Sequence, residues 1–184
     1  MEVKGTAIKS ISEYVKQNHQ NRYREWVNAL PGDTQKIVKD GIYATDWYPL
    51  EQGAIIPTKK LSELFFNSDR DAAWAAGRYS AEYGLKGVYK LYVRMSKPGH
   101  IISRAGKIFT TYYRPSEMEV CNHTPNSVEL KITKFDKPHK LIEYRIAGWV
   151  EKALEMSGCK EIRITIRKSL TKGDDETLYK ISWK

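Results

Sequence analysis

An α+β fold, built on an antiparallel sheet of about four to five strands covered by helices, is predicted by three features of the sequence. The first is period-two alternation: Met118 and Val120 alternate with Glu117, Glu119 and Cys121, and beyond the Thr124–Ser127 turn cluster Val128, Leu130 and Ile132 alternate with Glu129, Lys131 and Thr133. The second is the same pattern near the C-terminus, where Ile162, Ile164 and Ile166 alternate with Arg163, Thr165 and Arg167. There Lys172-Gly173-Asp174-Asp175 turns the chain, and Tyr179, Ile181 and Trp183 alternate on the return. The third lies between these hairpins. Leu141, Ile142, Ile146, Trp149, Val150, Ala153 and Leu154 recur at helical steps, and Gly158 ends the helix. The C-terminal half therefore reads hairpin–helix–hairpin, and the N-terminal half is read as helical cover. The 184 residues, 41% of them hydrophobic, are read as one α+β domain spanning 1–184.

The earlier elements follow in order. A short strand is predicted over Val3–Ile8, then a helical face of Ile8, Ile11, Val15 and His19, then a helix from about Asn21 with Tyr23, Trp26, Val27 and Leu30 on its apolar side. Pro31-Gly32-Asp33 breaks it, and a short helix through Ile37 and Val38 ends at Gly41. Ile42–Leu50 reads as a linker whose Trp47 and Tyr48 plug the core. Pro49 and Pro57 bracket a short helical region with Leu61, Leu64 and Phe65 on its face, and Asp69 caps the next helix. That helix carries Ala72, Ala73, Ala75, Ala76 and Gly77, so neighbours can approach it closely. A helix follows over Val88–Met95, and a single helix from about His100 to Tyr113 is closed by Pro115.

Composition narrows the function. No apolar run is long enough for a membrane span, and the N-terminus lacks the apolar core of a signal peptide. The two cysteines, Cys121 and Cys159, make no disulfide framework, so free thiols in the cytoplasm are expected. Cys121 and His123 could share one side of a strand, but two ligands fall short of the usual four, and no metal site is predicted. No phosphate-cradling loop, nucleophile elbow or paired carboxylates of catalytic type occur, so the chain is not read as an enzyme.

Two clusters remain. Between Lys86 and Arg114 there are seven basic residues and no acid, and Lys86, Lys90, Arg94 and Lys97 recur at helical steps. This face is either simply solvated or a docking surface for an acidic protein partner; nucleic acid is the less favoured occupant, since no recognised nucleic-acid module accompanies it. Trp74 and Arg78, four apart, share a helix face. They read as an arginine lying over a ring, or as a pocket wall carrying one cation.

In order along the chain, Gly77-Arg78-Tyr79, Pro98, Tyr112-Tyr113, Gly148-Trp149-Val150-Glu151, Gly158, Lys172-Gly173-Asp174 and Ile181-Ser182-Trp183 resemble the bacterial 4-vinyl-reductase-type domain family. The resemblance runs from about Ile42 onward and is strongest after Phe135. It implies the ligand-binding superfamily shared with heme–nitric-oxide sensors and Golgi-transport (TRAPP) subunits, with a pocket for an apolar small molecule and association as a homodimer. The Tyr-x-Ser-x-Arg signature for heme propionates is missing, since Tyr112-Tyr113-Arg114-Pro115-Ser116 does not fit it. No cofactor, heme included, is therefore expected, although His100 stands where an axial ligand could be imagined. The reading reached is a non-enzymatic sensory module holding a small, largely apolar ligand between sheet and helices, lined by Trp74, Arg78, Tyr112 and Trp149. The alternative is an interaction protein using the basic helix 86–97.

Overall fold

Residues 1–85 and 98–184 are described by a computed structural model of the chain. In order the elements are β1 (Glu2–Lys4), α1 (Gly5–Asn18), α2 (Tyr23–Ala29), α3 (Gly32–Lys39), β2 (Trp47–Pro49), a π-helical run (Glu51–Ile55) leading into α4 (Ile56–Phe65), and α5 (Asp69–Gly84). Then come α6 (Pro98–Ile102), α7 (Ala105–Tyr112), β3 (Tyr113–Arg114), β4 (Ser116–Thr124), β5 (Ser127–Phe135), α8 (Lys140–Met156), β6 (Arg163–Lys168) and β7 (Thr177–Ser182). The fold is α+β, as the alternation predicts.

The two hairpins join into a four-stranded antiparallel sheet in the order β4-β5-β7-β6. Its register stacks the alternating apolar residues in rows: Val120, Leu130, Tyr179 and Ile166 are cross-strand neighbours in one row, and Val128, Ile181 and Ile164 in the next. One face is thus apolar, and α8 covers it with Leu141, Ile142, Ile146 and Leu154 in the same core. A buried carboxylate ties helix to sheet. Glu143 in the first turn of α8 accepts hydrogen bonds from Ser169 Oγ at 2.7 Å, Thr171 Oγ1 at 3.1 Å and Thr177 Oγ1 at 2.6 Å. Gly158 sits at φ +96° and ends the helix segment as expected.

The chain before the four-stranded sheet departs from the sequence reading in four places. The strand expected over Val3–Ile8 is only β1, and α1 begins at Gly5, because Ala7, Ile8, Ile11 and Val15 bury one helical face. Trp47–Pro49 is no linker but a strand of a second sheet, ordered β2-β1-β3, in which Val3 pairs with both Tyr48 and Tyr113. The helix cap before α5 is Ser68, whose side chain accepts from the Asp71 N–H, and Asp69 is the first helical residue. The helix expected over His100–Tyr113 is two, α6 and α7, interrupted at Ser103 and Arg104. The basic helix expected over 86–97 lies outside the described residues.

Two apolar cores result. One lies between α8 and the four-stranded sheet, and the other gathers Ile11, Val15, Trp26, Leu30, Leu61, Ala72 and Ala76 among the N-terminal helices. Helices α1 and α5 belong to both: Ala73 faces the first core, while Ala72 and Ala76 face the second. Against α8, α5 packs backbone to backbone. A Cβ on Gly77 would lie 2.0 Å from the Arg145 carbonyl oxygen, and one on Gly148 would lie 2.2 Å from that of Trp74. Asp69 then clamps three helices, accepting from Lys59 Nζ of α4 at 3.0 Å and lying 2.8 Å from Lys140 Nζ of α8.

Because the obstructing atoms are backbone, Gly77→Ala and Gly148→Ala should each destabilise the fold by about 2–3 kcal/mol, the upper range for overpacking, read as a lowered urea midpoint. The Lys140 ammonium, with Lys59 beside it, holds the Asp69 carboxyl well below the usual carboxylate range. A depressed folded pKa contributes stability above the unfolded pKa and loses it as pH falls. Asp69→Asn should therefore cost about 1 kcal/mol above about pH 5, with the gap to the parent chain closing as pH drops through and below about 4. Urea titrations at stepped pH measure that closure.

Candidate ligand cavity

The apolar faces of α7 and α8 meet beside β3 and β4 without filling the space between them. On α7, Ala105, Ile108, Phe109 and Tyr112 recur at three- and four-residue steps; on α8, Arg145, Ile146, Trp149 and Val150 do the same. Together with Ser80 of α5, Tyr113 and Met118 they line a cavity of about 50 Å³. Tyr112 and Trp149 meet edge to face at 6.1 Å between ring centroids, and the Tyr112 hydroxyl is seated where a Cβ on Gly84 would be, 2.6 Å away.

One lining residue is charged. Arg145 is 2% exposed. Its Nη2 donates to the Ala7 carbonyl and, at 3.1 Å, to Ser10 Oγ, both on α1. Its Nη1 is buried and has no hydrogen-bond partner among the described residues. Burial pushes the guanidinium below its ordinary pKa, partly offset by the neighbouring phenols of Tyr113 and Tyr112. Burial likewise pushes both phenols up, against the pull of Arg145. At neutral pH the site therefore holds two neutral tyrosines and one cation. The Trp149 indole N–H holds the Tyr112 phenol down in part, and its nitrogen is buried without a hydrogen-bond partner among the described residues.

Of the four residues read from the sequence as ligand lining, Tyr112 and Trp149 stand on this cavity and Trp74 and Arg78 do not. Trp74 Nε1 donates to Glu151 Oε2 at 2.8 Å, and Arg78 donates to the same oxygen through Nη1 and to Glu155 Oε2 through Nη2, both at 2.5 Å. These bonds join α5 to α8. The cation over the Trp74 ring is Arg70, 5.4 Å from its centroid, and Trp74 borders a separate open groove of about 820 Å³. Arg145 was legible in one respect only: it stands four residues from both Leu141 and Trp149, inside the apolar stripe of its helix. Lys86, Lys90, Arg94 and Lys97 lie outside the described residues, as does the side chain of His100. Among the described residues no group of three or more His, Cys, Asp or Glu could hold a metal ion, and no helix is long and apolar enough to cross a membrane.

No family model matches the chain, and no curated protein matches it by sequence. Solved structures do match. An H-NOX protein from S. oneidensis in the Fe(II)NO ligation state superposes with a TM-score of 0.74 at 14% identity, over 98% of this chain and 99% of that one. A mutant H-NOX protein from K. algicida, Fe(II) and unliganded, gives 0.72 at 13% identity over 98% and 96%. A structure described by its heme redox potential and porphyrin distortion gives 0.67 at 13% identity over 98% and 95%. The chain has the fold of H-NOX proteins. This bears out the fold implied by the sequence resemblance and lends no support to the 4-vinyl-reductase-type family. It also corrects the expectation of no cofactor. That expectation rested on a missing propionate signature, whereas proteins of this fold are described in Fe(II), Fe(II)NO and Fe(II)CO states.

Arg78→Gln should cost about 1 kcal/mol of stability, the upper range for a partly exposed ion pair, and the loss should shrink in high salt. Thermal unfolding at two ionic strengths measures it.

Proposed function

We propose that this chain is a non-enzymatic small-molecule sensory domain, holding a small, largely apolar ligand in the cavity between α7, α8 and the sheet. One observation carries the reading: two amphipathic helices leave an apolar cavity in an H-NOX-like fold, lined by aromatic rings and by one charged residue. Packed interiors contain few voids larger than a water, so a cavity of this size is a feature of the site rather than loose packing. Tyr112 and Trp149 supply apolar contact, and Arg145 orients whatever polar group the ligand carries. Trp74 and Arg78 hold α5 against α8 and so keep the wall in place.

Heme is the ligand that the description of one structural neighbour names, and its fit here is a matter of volume and ligands. Drug-sized ligands and cofactors occupy roughly 300–1,000 Å³. The cavity offers about 50 Å³, and no described side chain on its wall is an imidazole or a thiol. In this conformation the described residues do not enclose a porphyrin, and nothing in the binding argument runs through one. Hemin nonetheless belongs in the screen, because a cavity that opens would accept it.

The test is a thermal-shift screen of the full chain against small apolar compounds and hemin, repeated on Ala105→Leu, which fills the cavity from α7. A ligand at a hundred times its Kd stabilises by about 2.7 kcal/mol, or roughly 5–10 °C for a chain of this size. Shifts of that order for some compounds, reduced at least tenfold in apparent affinity by Ala105→Leu, are expected. Flat melting curves across the screen, with no Soret band from hemin, would overturn the reading.

A further inference from the structure

We infer that the free edge of β6 and the groove beside it dock an extended acidic segment of a protein partner, which joins the four-stranded sheet as a further strand; this stands apart from the cavity reading. The sheet order β4-β5-β7-β6 leaves two edges. At β4, helix α7 packs onto the strand backbone, and a Cβ on Gly106 would lie 2.5 Å from the Met118 carbonyl oxygen. At β6 one side is taken by β7, and no described strand pairs with the other. An uncovered strand edge presents a row of N–H and C=O groups able to pair with another chain.

The open groove of about 820 Å³ lies along this edge. It touches Ile164, Thr165 and Ile166 in succession, and Trp74 of α5 and Tyr144 of α8 are also on its wall. In a strand, Ile164 and Ile166 point to one face of the sheet and Thr165 to the other. One groove meets all three only where it follows the rim of the strand, beside the backbone. A strand added there gains main-chain hydrogen bonds from β6, and its alternate side chains find apolar and aromatic groups in the groove.

Charge selects the occupant. Arg70 and Lys172 line the groove, and Arg163 and Arg167 are exposed on β6. Lys140 is paired with Asp69, and Lys168 with Asp175 and Glu176, but these four cations have no ion pair among the described residues. The segment 86–97 contains no acid that could supply one. The carboxylate on the groove, Glu143, is buried and already accepts from the hydroxyls of Ser169, Thr171 and Thr177. The rim is therefore positive, and an acidic segment complements it. A second copy of this chain does not. Antiparallel pairing of two β6 strands about Thr165 sets Arg163 opposite Arg167 twice over, and like charges directly opposite destabilise a strand pair. The bulge at Arg167, where register with β7 slips between Ile166 and Lys168, further guards the edge against self-pairing. Nucleic acid would match the charge but has no peptide backbone to pair with the edge.

The experiment is fluorescence anisotropy of the full chain with labelled peptides about eight residues long, at constant ionic strength. The probes are a peptide of alternating glutamate and valine, the same peptide with lysine for glutamate, and two forms of the first that are N-methylated on one or the other alternate set of amides. In an added strand only every second amide faces its neighbour. The acidic peptide should bind at least tenfold more tightly than its lysine counterpart. One methylated form should lose at least tenfold in affinity and the other less than threefold. Arg70→Glu combined with Lys172→Glu should weaken the acidic peptide at least tenfold and, both sites being exposed, leave the urea midpoint in place. Equal loss from both methylated forms, or from neither, overturns strand addition. Equal binding of the lysine peptide, or of an oligothymidylate of the same charge, overturns it as well, and so does the absence of binding. A dimer in sedimentation that the acidic peptide dissociates makes a second copy the occupant and overturns it too.

Discussion

Two helices that meet without side chains between them set the geometry of everything else. Where Gly77 faces the Arg145 carbonyl and Gly148 faces that of Trp74, α5 and α8 are closer than any residue with a Cβ allows. Helix α8 is pinned to the sheet by its apolar stripe and by the hydroxyls gathered on Glu143, so α5 inherits a fixed position from it. Through Ala72 and Ala76, α5 in turn places the N-terminal core. The ring of ion pairs around the crossing, Arg78 with Glu151 and Glu155 and Asp69 with Lys59 and Lys140, sits at its edges, where solvent weakens each pair. Those pairs set orientation; the glycines set distance.

The sequence was most legible where burial and local period agree. The alternation of Val128, Leu130 and Ile132, and of Tyr179 and Ile181, names the inward face of each strand, and one slip in register would have put all of them in water. It was least legible where pairing is long-range and short. Strands β1, β2 and β3 are two or three residues each, and Val3 finds its partners at Tyr48 and Tyr113; nothing near Val3 announces either one. Cap chemistry was ambiguous for a related reason. Ser68 and Asp69 are both good N-caps, and the choice falls to tertiary contacts, because Lys59 and Lys140 draw the Asp69 carboxylate away from the helix end.

The site was half legible. Tyr112 and Trp149 are bulky aromatics on amphipathic helices, and such residues face the interior whatever they do there. Trp74 and Arg78 share a helix face, as their spacing requires, but spacing says nothing of Glu151 and Glu155 opposite, which take both donors. Arg145 was passed over because an arginine between Tyr144 and Ile146 reads as part of a wet face. It is buried because α1 presents small residues, Ala7 and Ser10, at the point where the guanidinium arrives. Likeness of fold at 13–14% identity to proteins described with Fe(II) fixes the course of the helices, while the side chains fix the volume between them.

Arg145 also joins two parts of the molecule that are distant in sequence. A guanidinium is planar, so its two terminal nitrogens cannot move independently. One is bonded to α1, and the other is buried without a hydrogen-bond partner among the described residues. Helix α1 runs directly from β1, the central strand of the small sheet, and β3 in that sheet carries Tyr113, itself part of the cavity wall. The path from cavity to α1 to β1 to β3 closes on the cavity again. The cavity wall and the N-terminal half are thus joined twice, through the Arg145 side chain and through the pairing of β1 with β3.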